Sequence, residues 1–325
     1  YIGTDGEPVS RKEDDSMSKD LAVGALSARS GEKVTGVNTF EVDGTKFNLP
    51  VYLINGVEEG PTLVLTGGVH AAEYASIAAA LELGQTLDPK EIKGQVIVVP
   101  VLNQAGFSAR SLYVNPMDGA NLNRVFPGNA DGGASEQIAA WVFENVMVQG
   151  DYLIDLHGGD LVESLVPFTI FPETGDEEVD KGSLALAKAF GIEYLVREIG
   201  KSGPVVLAAA AAGIPAILVE SGGQGIWPRE DVVRLIEGVQ RVMAHYGMIK
   251  DCGWEPVQTI VMQDFIWLRS QHDGFWYPAA RVGEQVGEGQ VLGRVKDVWG
   301  NILQTVHAPV NGSILFLVSS LAMND

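Results

Sequence analysis

The chain has 325 residues, 46% of them hydrophobic, enough for one large domain and a small one. Its 42 acidic against 22 basic residues give a net charge of −20, a surface that repels nucleic acid and anionic membranes, so neither is expected as a partner. No apolar run approaches the ~20 residues of a membrane span, and the N-terminus has no charged-then-apolar leader pattern.

The lone cysteine, Cys252, excludes an internal disulfide framework and suits a reducing cytoplasm. It reads as an inert small residue, because no catalytic partner stands near it.

Residues 1–16 are polar and acidic and read as a disordered arm. Met17 opens a plausible native start, and the residues before it read as added or processed sequence. A short helix is expected within 21–30. Residues 33–42 and 46–55 alternate apolar and polar side chains like two strands, with Asp43-Gly44 between them as a hairpin turn. Residues 61–66 form a buried strand, 71–87 an alanine-rich helix and 95–102 another continuous apolar strand. Strands apolar on both faces, alternating with helices, predict an α/β sheet covered by helices.

Residues 103–133 form a long polar loop rich in Asn, Gly and Arg, and a loop of that length inside a domain is usually functional. Helices are expected at 134–148, capped near Ser135, and at 182–190, 205–212 and 230–246. Strands are expected at 152–156, 166–171, 192–196 and 216–220. Beyond about residue 252 the chain turns glycine-rich with short alternating strands, a small all-β domain over 264–318. The expected organisation is an arm over 1–30, a catalytic domain over 31–250 and a β domain over 251–325 bordering the active site.

Three buried strands end in polar residues: His70 and Glu73 after the first, His157 after the second, Glu220 at the third. Ligands collect at the carboxyl ends of strands in open α/β sheets, and a catalytic zinc takes three N/O ligands plus an open position. His70, Glu73 and His157 supply two imidazoles and one carboxylate. A lone His-x-x-Glu is common by chance. Here, however, two of only five histidines follow apolar strands directly, with glycines alongside. His245, His272 and His307 read as structural, although His272 is near enough in sequence to the β domain's edge to reach a cleft.

Glu220 is the candidate general base beside such a metal, against the plainer reading of a charge surfacing at a strand end. Asp155 either orients His157 as a supporting carboxylate or is a buried acid paired elsewhere. Arg110 and Arg124, on the long loop, carry guanidinium forks suited to a carboxylate or an oxyanion; the alternative is that both are solvated.

These pieces together resemble the succinylglutamate desuccinylase/aspartoacylase family, a branch of the zinc carboxypeptidase clan. The resemblance covers about residues 33–320. It rests on Gly-Gly-x-His-x-x-Glu at 67–73, Asn103-Gln-Ala-Gly-Phe107 with Arg110, residues 118–128 containing Asn123-Arg124, Asp155-Leu-His157-Gly and Val219-Glu220. It implies a carboxypeptidase-like mixed sheet and one zinc ion per chain on His70, Glu73 and His157. It further implies that Arg110 stabilises the oxyanion, that Asn123 and Arg124 hold the substrate's α-carboxylate, and that Glu220 activates water. The implied reaction is hydrolysis of a small N-acyl amino acid, in a cytoplasmic enzyme that is possibly a homo-oligomer. The alternatives are a zinc carboxypeptidase for short peptides and a non-catalytic small-ligand-binding relative.

The β domain resembles the half-barrel of biotinyl and lipoyl carriers, without the modified lysine; Lys296 lies before the equivalent turn. Two features depart from the family pattern: Asn-Gln-Ala-Gly stands where carboxypeptidases have Asn-Pro-Asp-Gly, and a substrate-covering tyrosine has only Tyr277 as a candidate. The chain also stops soon after the 312–318 segment, as if a last strand were cut short. The acyl group stays open among succinyl, acetyl and others. Within the family, the acidic surface suits the branch that deacetylates acetylated diaminobutyrate in ectoine breakdown.

Overall fold

The computed structural model describes residues 19–251, 253–263 and 265–324. The N-terminal arm expected over 1–16 and Cys252 lie outside the described residues.

The chain begins with a hairpin, β1 (Leu21–Val23) and β2 (Leu26–Ala28), where a short helix was expected. Gly24, at φ 55, turns the chain, and alternation then drives Leu21, Val23 and Ala28 into the core. A left-handed turn of this kind suits glycine and interrupts a helix. Next come β3 (Lys33–Val42), β4 (Thr45–Asn55), β5 (Glu58–Gly67), α1 (Tyr74–Thr86), β6 (Lys93–Val99) and α2 (Gln104–Ala109). They are followed by α3 (Ala134–Asn145), β7 (Tyr152–His157), β8 (Glu163–Leu165), β9 (Phe168–Glu173), α4 (Glu177–Phe190), β10 (Tyr194–Ile199), α5 (Val205–Ala211), β11 (Ala216–Glu220), α6 (Arg229–His245) and β12 (Ile260–Met262).

Nine of these strands form one mixed sheet in the order β12-β10-β9-β11-β7-β5-β6-β4-β3. Its centre, β11-β7-β5-β6, is parallel, whereas β9 runs antiparallel to β11 and β4 antiparallel to β6. The sheet is covered on both faces, as continuous apolar strands require. Val64, Leu153, Ala216 and Leu218 face a core completed by α3 and α5. Leu63, Leu65, Ile154, Leu156, Ile217 and Val219 face the other, completed by α1, α4 and α6. Among the described residues, no helix is long and apolar enough to cross a membrane.

The C-terminal segment contains β13 (Gly274–Pro278), β14 (Gln285–Val286), β15 (Val291–Lys296), β16 (Ile302–His307), β17 (Gly312–Ser313), β18 (Phe316–Val318) and β19 (Ala322–Met323), with no helix among its described residues. Strands β16, β15, β13 and β19 form a small antiparallel sheet. In the β15–β16 turn, Asp297 Oδ1 accepts the N–H groups of Trp299 and Asn301. The Lys296 ammonium lies 4.5 Å over the Tyr277 ring rather than at the turn's tip.

Strand β18 leaves this segment to pair antiparallel with β8, placing Val318 opposite Glu163. The pairing is extended by Ser319 N–H to Val162 C=O (2.8 Å) and Val166 N–H to Leu315 C=O (3.0 Å). This seam docks the C-terminal segment beside the loop that follows His157.

Candidate metal centre and its surroundings

The site is built at the carboxyl ends of β5, β7 and β11. After β5, Gly67 and Gly68 pass under the loop that follows β6, and their carbonyls accept Leu102 N–H (3.0 Å) and Asn103 N–H (2.9 Å). Gly68 has φ 60, and a Cβ there would meet Ile77 and Val101 at 3.0–3.1 Å. That backbone and that clearance both require glycine. The chain then presents His70 and reaches Glu73, the residue before the first turn of α1. Glu73 stands at the N-cap, yet its carboxylate makes no capping hydrogen bond to the helix. It faces inward instead.

There Glu73 joins two histidines. Its Oε1 lies 2.7 Å from His70 Nδ1 and its Oε2 lies 2.8 Å from His157 Nδ1. Gly158 N–H also donates to Oε2 (3.1 Å). The ligating atoms of His70, Glu73 and His157 all lie within 4.8 Å of one another, and all three residues are buried. The far side of His157 is supported: Nε2 is 2.8 Å from Asp155 Oδ2, and Asp155 Oδ1 accepts the Thr66 hydroxyl (2.6 Å). Residues two apart on a strand share a face, so Asp155 and His157 stack as base and support. On His70 the other nitrogen, Nε2, lies 3.1 Å from Asn121 Oδ1.

Glu220 ends β11 in register with His157 on β7. It shares the face of Leu218, the same side of the sheet as Asp155. The residue keeps some exposure, but its Oε2 is buried and has no hydrogen-bond partner among the described residues.

The charges follow from this crowding. Burial favours a neutral Glu73, but the charges of His157 and His70 beside it outweigh that and pull its pKa down to about 2. Burial lowers the His157 pKa, and the Asp155 and Glu73 carboxylates overcome this and hold it well above the usual imidazole range. Burial, reinforced by the Glu73 charge, pushes the Glu220 carboxyl well above the usual carboxylate range.

The donor set fits a divalent transition metal. Two imidazoles and a carboxylate converge, with a third carboxylate holding the far nitrogen of one imidazole, as supporting groups do at metal sites. His157 Nδ1 also lacks a hydrogen bond of proper geometry despite its 2.8 Å approach to Glu73. The short distance is real charge attraction, but the nitrogen's lone-pair direction is left for another partner. A cation between these groups satisfies both that nitrogen and the negative charge around it.

The long-loop residues are placed less uniformly. Asn123 is buried in a 3-10 turn, Leu122–Arg124, where its Oδ1 accepts Val205 N–H (2.9 Å) at the start of α5. Arg124 is exposed, with Nη1 donating to its neighbour Asn123's carbonyl (2.7 Å). Arg110 is exposed at the C-cap of α2, in the left-handed conformation (φ 55). Neither arginine enters the hydrogen-bond network of the His–Glu–His cluster. Tyr277 is half exposed under Lys296, and His272 is exposed in a turn with Ser270.

Several residues with no assigned role in the sequence also gather here. Asn121, two positions before Asn123, touches His70 as described. The Tyr113 ring packs edge-on to His70 at 6.0 Å between centroids, and its hydroxyl donates to Glu163. Burial pushes the Glu163 carboxyl up to about 7, against the pull of the Tyr113 hydroxyl. Asn121 and Asp160 belonged to motifs already visible. Glu163 carried no sequence signal, because only the fold brings it back beside the cluster.

This fold and this cluster define a carboxypeptidase-like metallohydrolase scaffold. The family model of the succinylglutamate desuccinylase/aspartoacylase catalytic domain matches residues 59–246, more than half of the chain. The chain belongs to that family. It is 32% identical over 246 residues, 74% of this chain and 72% of the relative, to an N-alpha-acetyl-L-2,4-diaminobutyric acid deacetylase from Halomonas elongata. Among solved structures, it is similar to the product-bound ectoine utilization protein EutE (DoeB) from Ruegeria pomeroyi, with TM-score 0.83, 25% identity and 95% and 96% of the two chains covered. A succinylglutamate desuccinylase from Silicibacter sp. matches with TM-score 0.80, 26% identity and 90% and 91% covered.

Proposed function

We propose that the protein is a zinc-dependent deacylase that hydrolyses the amide bond of a small N-acyl amino acid. The observation that carries this reading is the buried His70–Glu73–His157 cluster with an unpartnered Glu220 oxygen in register beside it. Residues 31–250 act as the catalytic domain and 251–325 as a β domain, of biotinyl-like half-barrel type, that borders the cleft. The β18–β8 seam next to the site supports a narrow cleft, and so a small substrate over a long peptide.

His70, Glu73 and His157 hold one zinc ion, which supplies Lewis acidity and makes water acidic enough to react near neutral pH. Asp155 keeps the His157 ring oriented and its Nδ1 directed at the metal. Glu220 takes the proton of the attacking water and delivers it to the departing amine. Its raised pKa suits both halves of that exchange. Arg110 donates to the oxyanion that forms at the scissile carbonyl. Arg124 pairs with the substrate's α-carboxylate, and Asn123 anchors the turn that carries it while leaving its amide nitrogen for the same carboxylate.

The deacetylase named among the relatives makes acetylated diaminobutyrate the first substrate to try. Metal analysis together with a panel of N-acetyl, N-succinyl and N-formyl amino acids tests the reading. About one zinc per chain and turnover of a panel member are expected. A protein that stays inactive on the whole panel after zinc is added defeats it, and cleavage of peptides in preference to acyl amino acids moves it to the carboxypeptidases.

A further inference from the structure

The loops that carry the proposed chemistry meet at a carboxylate that the mechanism leaves unused. Glu163, in β8, is buried six residues beyond His157. Its Oε1 accepts the Tyr113 hydroxyl, and its Oε2 accepts Asp160 N–H (2.8 Å). Its backbone carbonyl accepts Gln224 N–H (2.9 Å), from the loop that follows Glu220. Across the strand it faces Val318 of β18.

Tyr113 is held twice. Besides the hydroxyl contact, its N–H donates to Asp160 Oδ2 (2.9 Å). Its backbone is left-handed, φ 52, as is that of Arg110, φ 55. Side chains other than glycine rarely adopt this region, and it persists only where surrounding contacts impose it. The contacts that impose it at Tyr113 are those of Asp160 and Glu163. Two acceptor oxygens serve two donors here, a phenol and an amide. A glutamine offers one acceptor and two donors, so it cannot satisfy both.

We propose that Glu163 is a positioning residue: through Tyr113 it holds the 110–113 loop, and with it Arg110, against the His70–Glu73–His157 cluster, and it joins that loop to the β18 seam. The kinetic part of this proposal rests on the deacylase reading; the structural part does not.

The test uses Glu163→Gln, Tyr113→Phe and each combined with Arg110→Ala, all in the full chain. Amide hydrogen exchange over 110–115 should rise about tenfold or more in both single variants, with α1 and β11 unchanged. On the best substrate of the wild-type protein, kcat should fall about tenfold with zinc stoichiometry intact, and adding Arg110→Ala should cost no more than Arg110→Ala alone, since groups acting as a unit are not additive. Unchanged exchange over 110–115, exchange that rises evenly over the whole chain, or strictly additive losses with Arg110→Ala each overturn the proposal. Should Glu163→Gln fail to fold, Tyr113→Phe, which removes one oxygen, decides alone. A wild-type protein inactive on every acyl amino acid that still shows the local rise in exchange defeats the deacylase reading and upholds the tether.

Discussion

At Glu73 two carboxylate oxygens face two imidazoles, and that geometry fixes the charge of the whole cluster. A buried carboxylate is costly unless paired; here the histidines keep it ionised, and Asp155 and Glu73 do the same for His157. Glu220 lies among these charges with a free oxygen, which is where a proton acceptor belongs. Glu220→Gln is expected to keep the metal and lower kcat by about 100-fold or more, the usual scale for losing a general base. A drop of only a few fold would reassign the role. Wild-type activity should climb with rising pH as the elevated Glu220 pKa is passed, because only the ionised form accepts a proton; a pH–rate profile that keeps this limb in Glu220→Gln assigns the limb to another group. His157→Ala should abolish stoichiometric zinc, read by metal analysis, and tight retention of metal would mean another third ligand.

Among the elements, the loop between α2 and α3 needs internal staples, since it lacks a sheet to support it. Asp118 is one of them: its carboxylate accepts Ser135 N–H (2.6 Å), the Ser135 hydroxyl (2.8 Å) and Ala120 N–H (3.0 Å). The start of α3 is thereby tied to the loop, and Ser135, expected as a cap, is instead a donor to Asp118. Partial burial raises the Asp118 pKa, but the Ser135 and Ala120 hydrogen bonds outweigh it and set the folded value below the ordinary 3.8. A depressed carboxylate stabilises the fold above its unfolded pKa, and that stabilisation fades as pH falls below about 4 through the folded value. Asp118→Asn is expected to lose on the order of 1 kcal/mol at neutral pH, as for lost hydrogen bonds to a charged group, with the gap to wild type closing in acid. Thermal melts from pH 3 to 7 check this, and a gap that widens in acid contradicts it.

For the whole molecule, the net charge of −20 sets a background of self-repulsion. Screening at physiological salt shortens the reach of each charge to about 8 Å, so Tm should rise as salt is added from low ionic strength. A Tm that falls with salt would show that attractive pairs such as Arg229–Glu82 and Lys93–Glu58 outweigh the repulsion. The β18–β8 seam is the other whole-chain feature: it makes residues over 150 positions apart in sequence neighbours of one site.

Much of this was legible along the chain because the signals were local. Continuous apolar runs marked β5, β7 and β11, and their polar ends marked His70, Glu73, His157 and Glu220, since a strand buried on both faces can surface only at its ends. Residue 216 to 220 was read as a strand with the bounds it has, while α4 begins five residues earlier than its apolar pattern, at the Asp176 cap. The hairpin at 21–28 was misread because its alternation is too short to outweigh an apolar composition that also suits a helix. Composition and periodicity determined an α/β chain and a metal-ligand set spaced along three strands. Tertiary structure alone decided what surrounds that set: Asn121 on His70, Asn123 turned to α5, and Tyr113 and Glu163 clasped beside the cluster under β18. Those are contacts between segments far apart in sequence, fixed by sheet order and strand register, and no local pattern encodes them.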